Sequence, residues 1–346
     1  MFDDTEKRAT QMTWFNVLTG MEERSPDQVR AEITVDDDSF LFPNGNRVAF
    51  GTLEVPTLTD LRDRSQAVRS GDGKLRLSEV VADVRRLHSD QANANALFQV
   101  ASQFNLLEMT GPSITPEAGV GIYEHDRTQG PACAIACGAG TIYRNYFVMI
   151  GDQQGQTASR QINCAERLGR LLGNEDENLW SMENGYLFPT EHGLSQINEK
   201  LESLEEIDLD HYRASLCIGL QWNTTVTLPG ASHQVTQAYC SALPVAYGLQ
   251  PTDQWTTFAK FILEAAYEAT VCAAIINRAV NGSNRLYLTM LGGGVFGNRE
   301  GWITDAIYRA MTKYRDEDLD VKIVSYGSPK RSIMKLIEKF ESTIAQ

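Results

Sequence analysis

The chain has 346 residues, 42% of them hydrophobic and 22% charged, with 27 Gly and 11 Pro, which excludes the disordered, collagen-like and disulfide-stapled miniprotein classes. Lys and Arg number 31 against 45 Asp and Glu, a formal charge of -14, and no basic run offsets it locally, so no nucleic-acid partner is expected. Met1 to Thr10 lacks the apolar core of a secretory signal, and no stretch approaches the roughly 20 apolar residues of a membrane span, so a cytoplasmic protein without a membrane partner is expected.

In chain order, Ser39 to Phe42 and Arg47 to Leu53 flank the turn-forming Pro43-Asn44-Gly45-Asn46, which predicts a hairpin or tight loop. Residues 1–74 read as a β-rich accessory region, closed by the polar stretch Arg62 to Lys74 with Ser70-Gly71-Asp72-Gly73 as its boundary. Ser78 is a helix cap in this reading, followed by an amphipathic helix over Glu79 to Leu87 with Val80, Val81, Val84 and Leu87 at helical spacing. Ala96 to Ala101 reads as a buried strand that runs into the polar loop Ser102-Gln103-Phe104-Asn105. Gly130 to Phe147 is a Gly/Ala-rich helix start or tight turn, then a strand over Tyr143 to Ile150 and a helix over Ala165 to Leu172.

The acidic segment from about 174 to 211 reads as an insertion. After it come a strand within Ala214 to Thr227, a long helix from Gln254 to Val280, a strand from Arg285 to Leu291 and a Gly-rich turn. A helix over Trp302 to Tyr314, a strand over Val321 to Tyr326 and a closing helix over Lys330 to Ile344 complete the pattern. Alternation of this kind predicts an α/β fold whose largely parallel or mixed sheet is covered on both faces. Cys133, Cys137, Cys164, Cys217, Cys240 and Cys272 lie in apolar segments without metal-ligand spacing and read as reduced core residues, with no metal expected.

The most informative string is Leu291-Gly292-Gly293-Gly294-Val295-Phe296-Gly297-Asn298. Glycines between a strand and a helix let a ligand approach the backbone, and exposed amides favour a phosphate or pyrophosphate. The plain alternative is a tight turn without a ligand. Gly292, Gly294 and Gly297 also satisfy G-x-G-x-x-G, but the next strand ends in Tyr326-Gly327 rather than in the acid of a dinucleotide site. A nicotinamide-dependent oxidoreductase is therefore the weaker reading.

The order of helix, strand, GGGVFG turn, helix and strand ending Val324-Ser325-Tyr326 resembles the C-terminal half of a macrodomain, the α/β/α module that binds ADP-ribose. Together with ASQFNLLEM and YEHDRTQGPACAIACGAGTIYRNYF, it resembles the divergent MavL-type group of macrodomain-like hydrolases that remove ADP-ribose from arginine. The resemblance spans about 75–327, with the insertion inside it and residues 328–346 as a C-terminal helix. It implies a three-layer α/β/α mixed sheet and ADP-ribose as ligand, without a cofactor. An ADP-ribosylated protein, with ubiquitin one candidate, would be the partner.

By this resemblance Gly293, Gly294, Val295, Phe296 and Gly297 form the diphosphate loop, and Tyr326 lies near the adenosine half. Gln103 and Asn105 occupy the position of the loop that hydrogen-bonds ribose, although the glycines that normally follow are absent. Cleavage of a ribose–guanidinium N-glycosidic bond passes through an oxocarbenium-like state, which carboxylates stabilise. Asp126 is the first choice, with Glu124 and Glu117 next, because all three lie on the segment that replaces those glycines. The plain alternative for Asp126 is a surface pair with Arg127 or a cap on Thr128. His125 reads as surface or packing, and Gln234, Gln237 and Tyr239 read equally as cleft lining or loop. A non-catalytic ADP-ribose reader is the second functional reading.

Overall fold

Strand-forming runs at seven places in the chain meet in one sheet in the computed structural model, which describes residues 12–69 and 71–344. They are β1 (Thr52–Glu54), β2 (Arg76–Val81), β3 (Leu97–Ala101), β4 (Gly219–Thr225), β5 (Gln234–Cys240), β6 (Arg285–Leu288) and β7 (Asp320–Ser325). Their spatial order is β1-β4-β5-β3-β6-β7-β2. β4 is antiparallel to both β1 and β5, whereas β5, β3, β6, β7 and β2 run parallel. The readings of Met1 to Thr10 and of Ser70 lie outside the described residues.

Successive side chains of a strand point to opposite faces, so a strand covered on both sides is buried at nearly every position. In β3, Phe98 stacks on His88 on one face at 3.8 Å between ring centroids, while Gln99 donates to Thr270 Oγ1 on the other. The layer on the Gln99 side includes α1 (Leu58–Val68), α6 (Thr256–Asn281), α7 (Glu300–Lys313) and α8 (Arg331–Ile344), with α5 (Glu206–Ala214) and the helix Glu191–Ser203 beside α6. Facing Phe98 are α2 (Val84–Ser89), α3 (Gln129–Ala136) and α4 (Gly138–Ile142). The three-layer α/β/α mixed sheet is thus present. A second apolar cluster, including Phe15, Phe40, Phe50, Ile142 and Phe147, joins the N-terminal segments to residues 107–147.

Several elements differ from their sequence reading. Glu79 to Leu87 is not one helix: Ser78, Val80 and Val81 lie on β2, and Asp83 caps a separate α2 by accepting from Arg85 N at 2.8 Å. β-branched residues fit a sheet better than a helix, so the cap decides where the helix starts. Tyr143 to Phe147 is a single wide helical turn rather than a strand, and only Met149–Ile150 pairs beyond it. Gln234, Gln237 and Tyr239, read equally as cleft lining or loop, lie on the interior strand β5; Gln237 and Tyr239 are buried beneath α3.

The polar stretch after Arg62 carries most of α1, which buries Leu58 and Leu61 and sends Arg62 to the buried Glu268 of α6. β1 likewise pairs with β4 at the edge of the central sheet. The hairpin expected at Pro43 to Asn46 is present, with Ser39–Leu41 paired to Arg47–Ala49. All six cysteines are free and buried. Among the described residues no helix is long and apolar enough to cross a membrane, and no group of three or more His, Cys, Asp or Glu side chains has metal-binding geometry.

Candidate active site

The C-terminal ends of β5, β3, β6 and β7 point to one edge, where the loops 241–248, 102–109, 289–298 and 326–330 leave the sheet. Ligands of open α/β sheets bind at such edges, where neighbouring connections diverge. Gly292 and Gly297 adopt φ values of +72° and +73°, which glycine tolerates without a Cβ penalty. The loop is tied down on one side: Ala246 N donates to Phe296 O at 3.0 Å and Asn298 Nδ2 to Leu243 O at 2.8 Å. Among the described residues, no protein acceptor meets the amides of Gly294, Val295 and Phe296. Successive unpaired amides of this kind form an anion-binding concavity.

Substitution separates the roles of two glycines in this turn. A Cβ at Gly292 would lie 2.5 Å from Ala242 Cβ, whereas one at Gly294 meets nothing within 4 Å. Gly292→Ala should therefore destabilise the fold by about 1–2 kcal/mol, the cost of a left-handed non-glycine residue. Gly294→Ala should change stability by less than about 0.5 kcal/mol, as at an unencumbered surface position. Urea denaturation checks both, and equal losses would refute the assignment.

Phe296 packs against Tyr186 and Tyr247, at 5.4 and 5.8 Å between ring centroids. Tyr186 arrives on the hairpin Trp180–Glu183 and Tyr186–Pro189, turned by Asn184 and Gly185, both at positive φ. The acidic segment 174–211 thus builds a wall of this edge. Burial first, and then the Asp126 carboxylate, raise the Tyr247 phenol above its ordinary value; burial, Tyr247 and Asp126 raise Tyr186. Asp126 therefore acts on the same two rings that hold Phe296. Its Oδ1 accepts from Thr128 N at 2.8 Å, the capping bond the plain alternative describes, while Oδ2 has no protein partner among the described residues.

The other two acids have partners elsewhere. Glu124 Oε2 accepts from Trp14 N at 2.9 Å, and Glu117 Oε1 from Ala158 N at 2.8 Å. Gln103 and Asn105 are buried, and their amides close their own loop. Gln103 Nε2 donates to Met109 O and its Oε1 accepts from Met109 N; Asn105 Oδ1 accepts from Leu107 N and its Nδ2 donates to Gln161. Leu106 takes φ +65° in this loop, the conformation a glycine would occupy. Gly293 lies beside Ile303, Val295 is 55% exposed, and Tyr326 is 83% exposed at the end of β7. His125 is exposed.

Three further charged residues support the segment that carries Asp126. Half-buried Glu23 accepts from Val120 N at 2.8 Å, Gly121 N at 2.7 Å and Tyr146 Oη at 2.6 Å, anchoring the segment that leads to Asp126. Glu108 and Arg144 lie beneath that segment, fully buried and 3.7 Å apart, with the guanidinium 3.6 Å over the Tyr239 ring. Burial pushes Glu108 up to about 8 against the pull of Arg144. A carboxyl raised in the fold favours folding at low pH and loses that contribution as pH rises from its unfolded value through 8. Urea denaturation of Glu108→Gln should accordingly show a smaller loss of stability than wild type between pH 4.5 and 8; parallel curves would contradict it.

No protein-family model matches the sequence, and no curated protein gives a significant match. Among solved structures the fold is similar to poly(ADP-ribose) glycohydrolase from Thermomonospora curvata bound to the inhibitor ADP-HPD. Identity is 11% and the TM-score 0.44, covering 91% of this chain and 97% of that one. It is also similar to poly(ADP-ribose) glycohydrolase from Deinococcus radiodurans in complex with ADP-ribose, at 12% identity and a TM-score of 0.39, covering 85% and 95%. At this level the likeness assigns neither a substrate nor a residue role.

Proposed function

We propose that the protein is a hydrolase that removes ADP-ribose from ADP-ribosylated protein, with arginine as the modified residue. The observation that carries this reading is an amide-lined turn whose Phe296 packs on Tyr186 and Tyr247, the same two phenols that the Asp126 carboxylate raises. The amides of Gly294, Val295 and Phe296 hold the diphosphate, and Phe296 packs on the distal ribose. Asp126 stabilises the positive charge that develops on that ribose and orients water. Water adds hydroxyl to the anomeric carbon as the bond to the guanidinium nitrogen breaks, and the leaving nitrogen takes the proton. Tyr326 lies on the adenosine side, while Glu124 and Glu117 hold the segment around Asp126 through their backbone contacts.

The test is incubation with arginine-ADP-ribosylated protein, with free ADP-ribose measured by chromatography. Release supports the hydrolase. Tight ADP-ribose binding without release from any linkage supports the reader instead, and release from poly(ADP-ribose) alone would overturn the arginine assignment.

A further inference from the structure

The parallel ladder between β3 and β6 is short. It joins Leu286 to Leu97 and Tyr287 to Phe98, although β3 goes on pairing with β5 as far as Ala101 and β6 with β7 as far as Leu288. Two adjacent strands of one sheet therefore part beneath the glycine turn, and the backbone groups freed there need other partners, because buried unpaired amides and carbonyls are costly.

Side chains supply them. Gln129 Nε2 donates to Gln99 O at 2.8 Å, and Gln129 Oε1 accepts from Ala101 N at 2.9 Å, so one amide group takes the place of a neighbouring strand along β3. On the opposite bank the Tyr267 hydroxyl, from α6, donates to Thr289 O at 2.6 Å and accepts from Leu291 N at 2.9 Å, closing a tight turn in which Leu291 N also reaches Thr289 O at 3.0 Å. Gln99 spans the gap itself, its Oε1 accepting from Thr289 N at 3.3 Å. Gln129 stands three residues after Asp126, and Leu291 three residues before Gly294.

We infer that Gln129 and Tyr267 are positioning residues that hold β3 and β6 apart, Gln129 fixing the Asp126 turn and Tyr267 fixing the amide turn. Neither touches the reacting atoms; each replaces a strand-to-strand hydrogen-bond pair with a side chain anchored in a different layer. The division of labour rests on the proposed hydrolase reading, but the wedge does not.

The full-length protein tests both. Gln129→Ala should lower turnover on arginine-ADP-ribosylated protein at least tenfold and leave ADP-ribose affinity within about threefold, a split in which only the Asp126 side moves. Gln129→Glu, which keeps the acceptor for Ala101 N but loses the donor to Gln99 O, should fall between Ala and wild type. Tyr267→Phe should weaken ADP-ribose binding about tenfold and change turnover at saturation less than threefold. Hydrogen exchange gives a readout that needs no activity: the Ala101 amide should exchange faster in Gln129→Ala alone, and the Leu291 amide in Tyr267→Phe alone. Unchanged exchange at these amides, or equal losses of affinity and turnover in both variants, would overturn the inference. If wild-type protein binds no ADP-ribose, the functional reading fails while the exchange rates still decide the wedge.

Discussion

Asp126→Asn should lower the release of ADP-ribose from arginine-modified protein by roughly 10³-fold, in the range of a positioned acid–base or charge-stabilising group, and leave ADP-ribose affinity within about threefold. The substitution is chosen for what it preserves. Asn retains an oxygen that can accept from Thr128 N, so the turn into α3 keeps its 2.8 Å capping bond while the charge disappears. The same carboxylate helps to raise the Tyr186 and Tyr247 phenols, so ultraviolet titration of Asp126→Asn should show tyrosine ionisation moving to lower pH. Glu124→Gln and Glu117→Gln keep acceptors for Trp14 N and Ala158 N, and their turnover should stay within about threefold of wild type. An Asp126→Asn protein as active as wild type, with its tyrosine titration displaced, would leave the charge real and its catalytic role untenable.

What could be read beforehand divides by the range of the interaction involved. β3, β6 and α6 stand out because each is a mostly apolar run, short in the two strands and long in the helix, whose apolar side chains need no specific partner to be buried. The glycine turn stands out because only glycine accommodates φ values of +72° and +73° at Gly292 and Gly297 without strain. β5 escapes the same reasoning. Its Thr236 and Gln237 are polar yet buried, satisfied by Asn277, His88 and the Cys133 carbonyl, all distant in the chain. Gln103 and Asn105 present residue types suited to sugar hydroxyls, but whether an amide faces a ligand or its own loop depends on Met109, Leu107 and Gln161. Tyr186 carried a usable signal: Asn184-Gly185 between Trp180, Met182 and the apolar run Tyr186-Leu187-Phe188 is hairpin chemistry. Glu23 carried none, since its three donors come from a loop almost a hundred residues away and from Tyr146.

Away from that edge of the sheet, Glu268→Ala should destabilise the protein by about 4 kcal/mol at neutral pH, the scale of a broken buried ion pair. Glu268 sits on α6 with no solvent exposure and accepts from Arg62 Nε at 2.6 Å, Arg309 Nη1 at 2.7 Å and Lys313 Nζ at 2.6 Å. One acid thus joins α1, α6 and α7, and its removal leaves three cations facing one another with Asp210 and Glu206 at the rim to compensate in part. With an unfolding entropy of about 2.1 cal/mol/K per residue over 346 residues, a loss of that size lowers the melting midpoint by roughly 5 °C. The pH dependence follows from the same contacts. Against burial, which would raise it, Arg62 and Lys313 hold the Glu268 carboxyl down at about 2 instead of 4.5. A depressed carboxyl contributes stability that is complete above its unfolded value and disappears as pH falls from 4.5 through 2, about 3 kcal/mol for a shift of this size. Buried His88, pushed down to about 4 by desolvation, also loses stability on acidification, but it does so in both proteins and cancels from their difference. Urea denaturation at pH 7 and near pH 3 should therefore show the gap between wild type and Glu268→Ala narrowing in acid. A gap of constant size would mean that Glu268 stabilises the helical layer by packing rather than by charge.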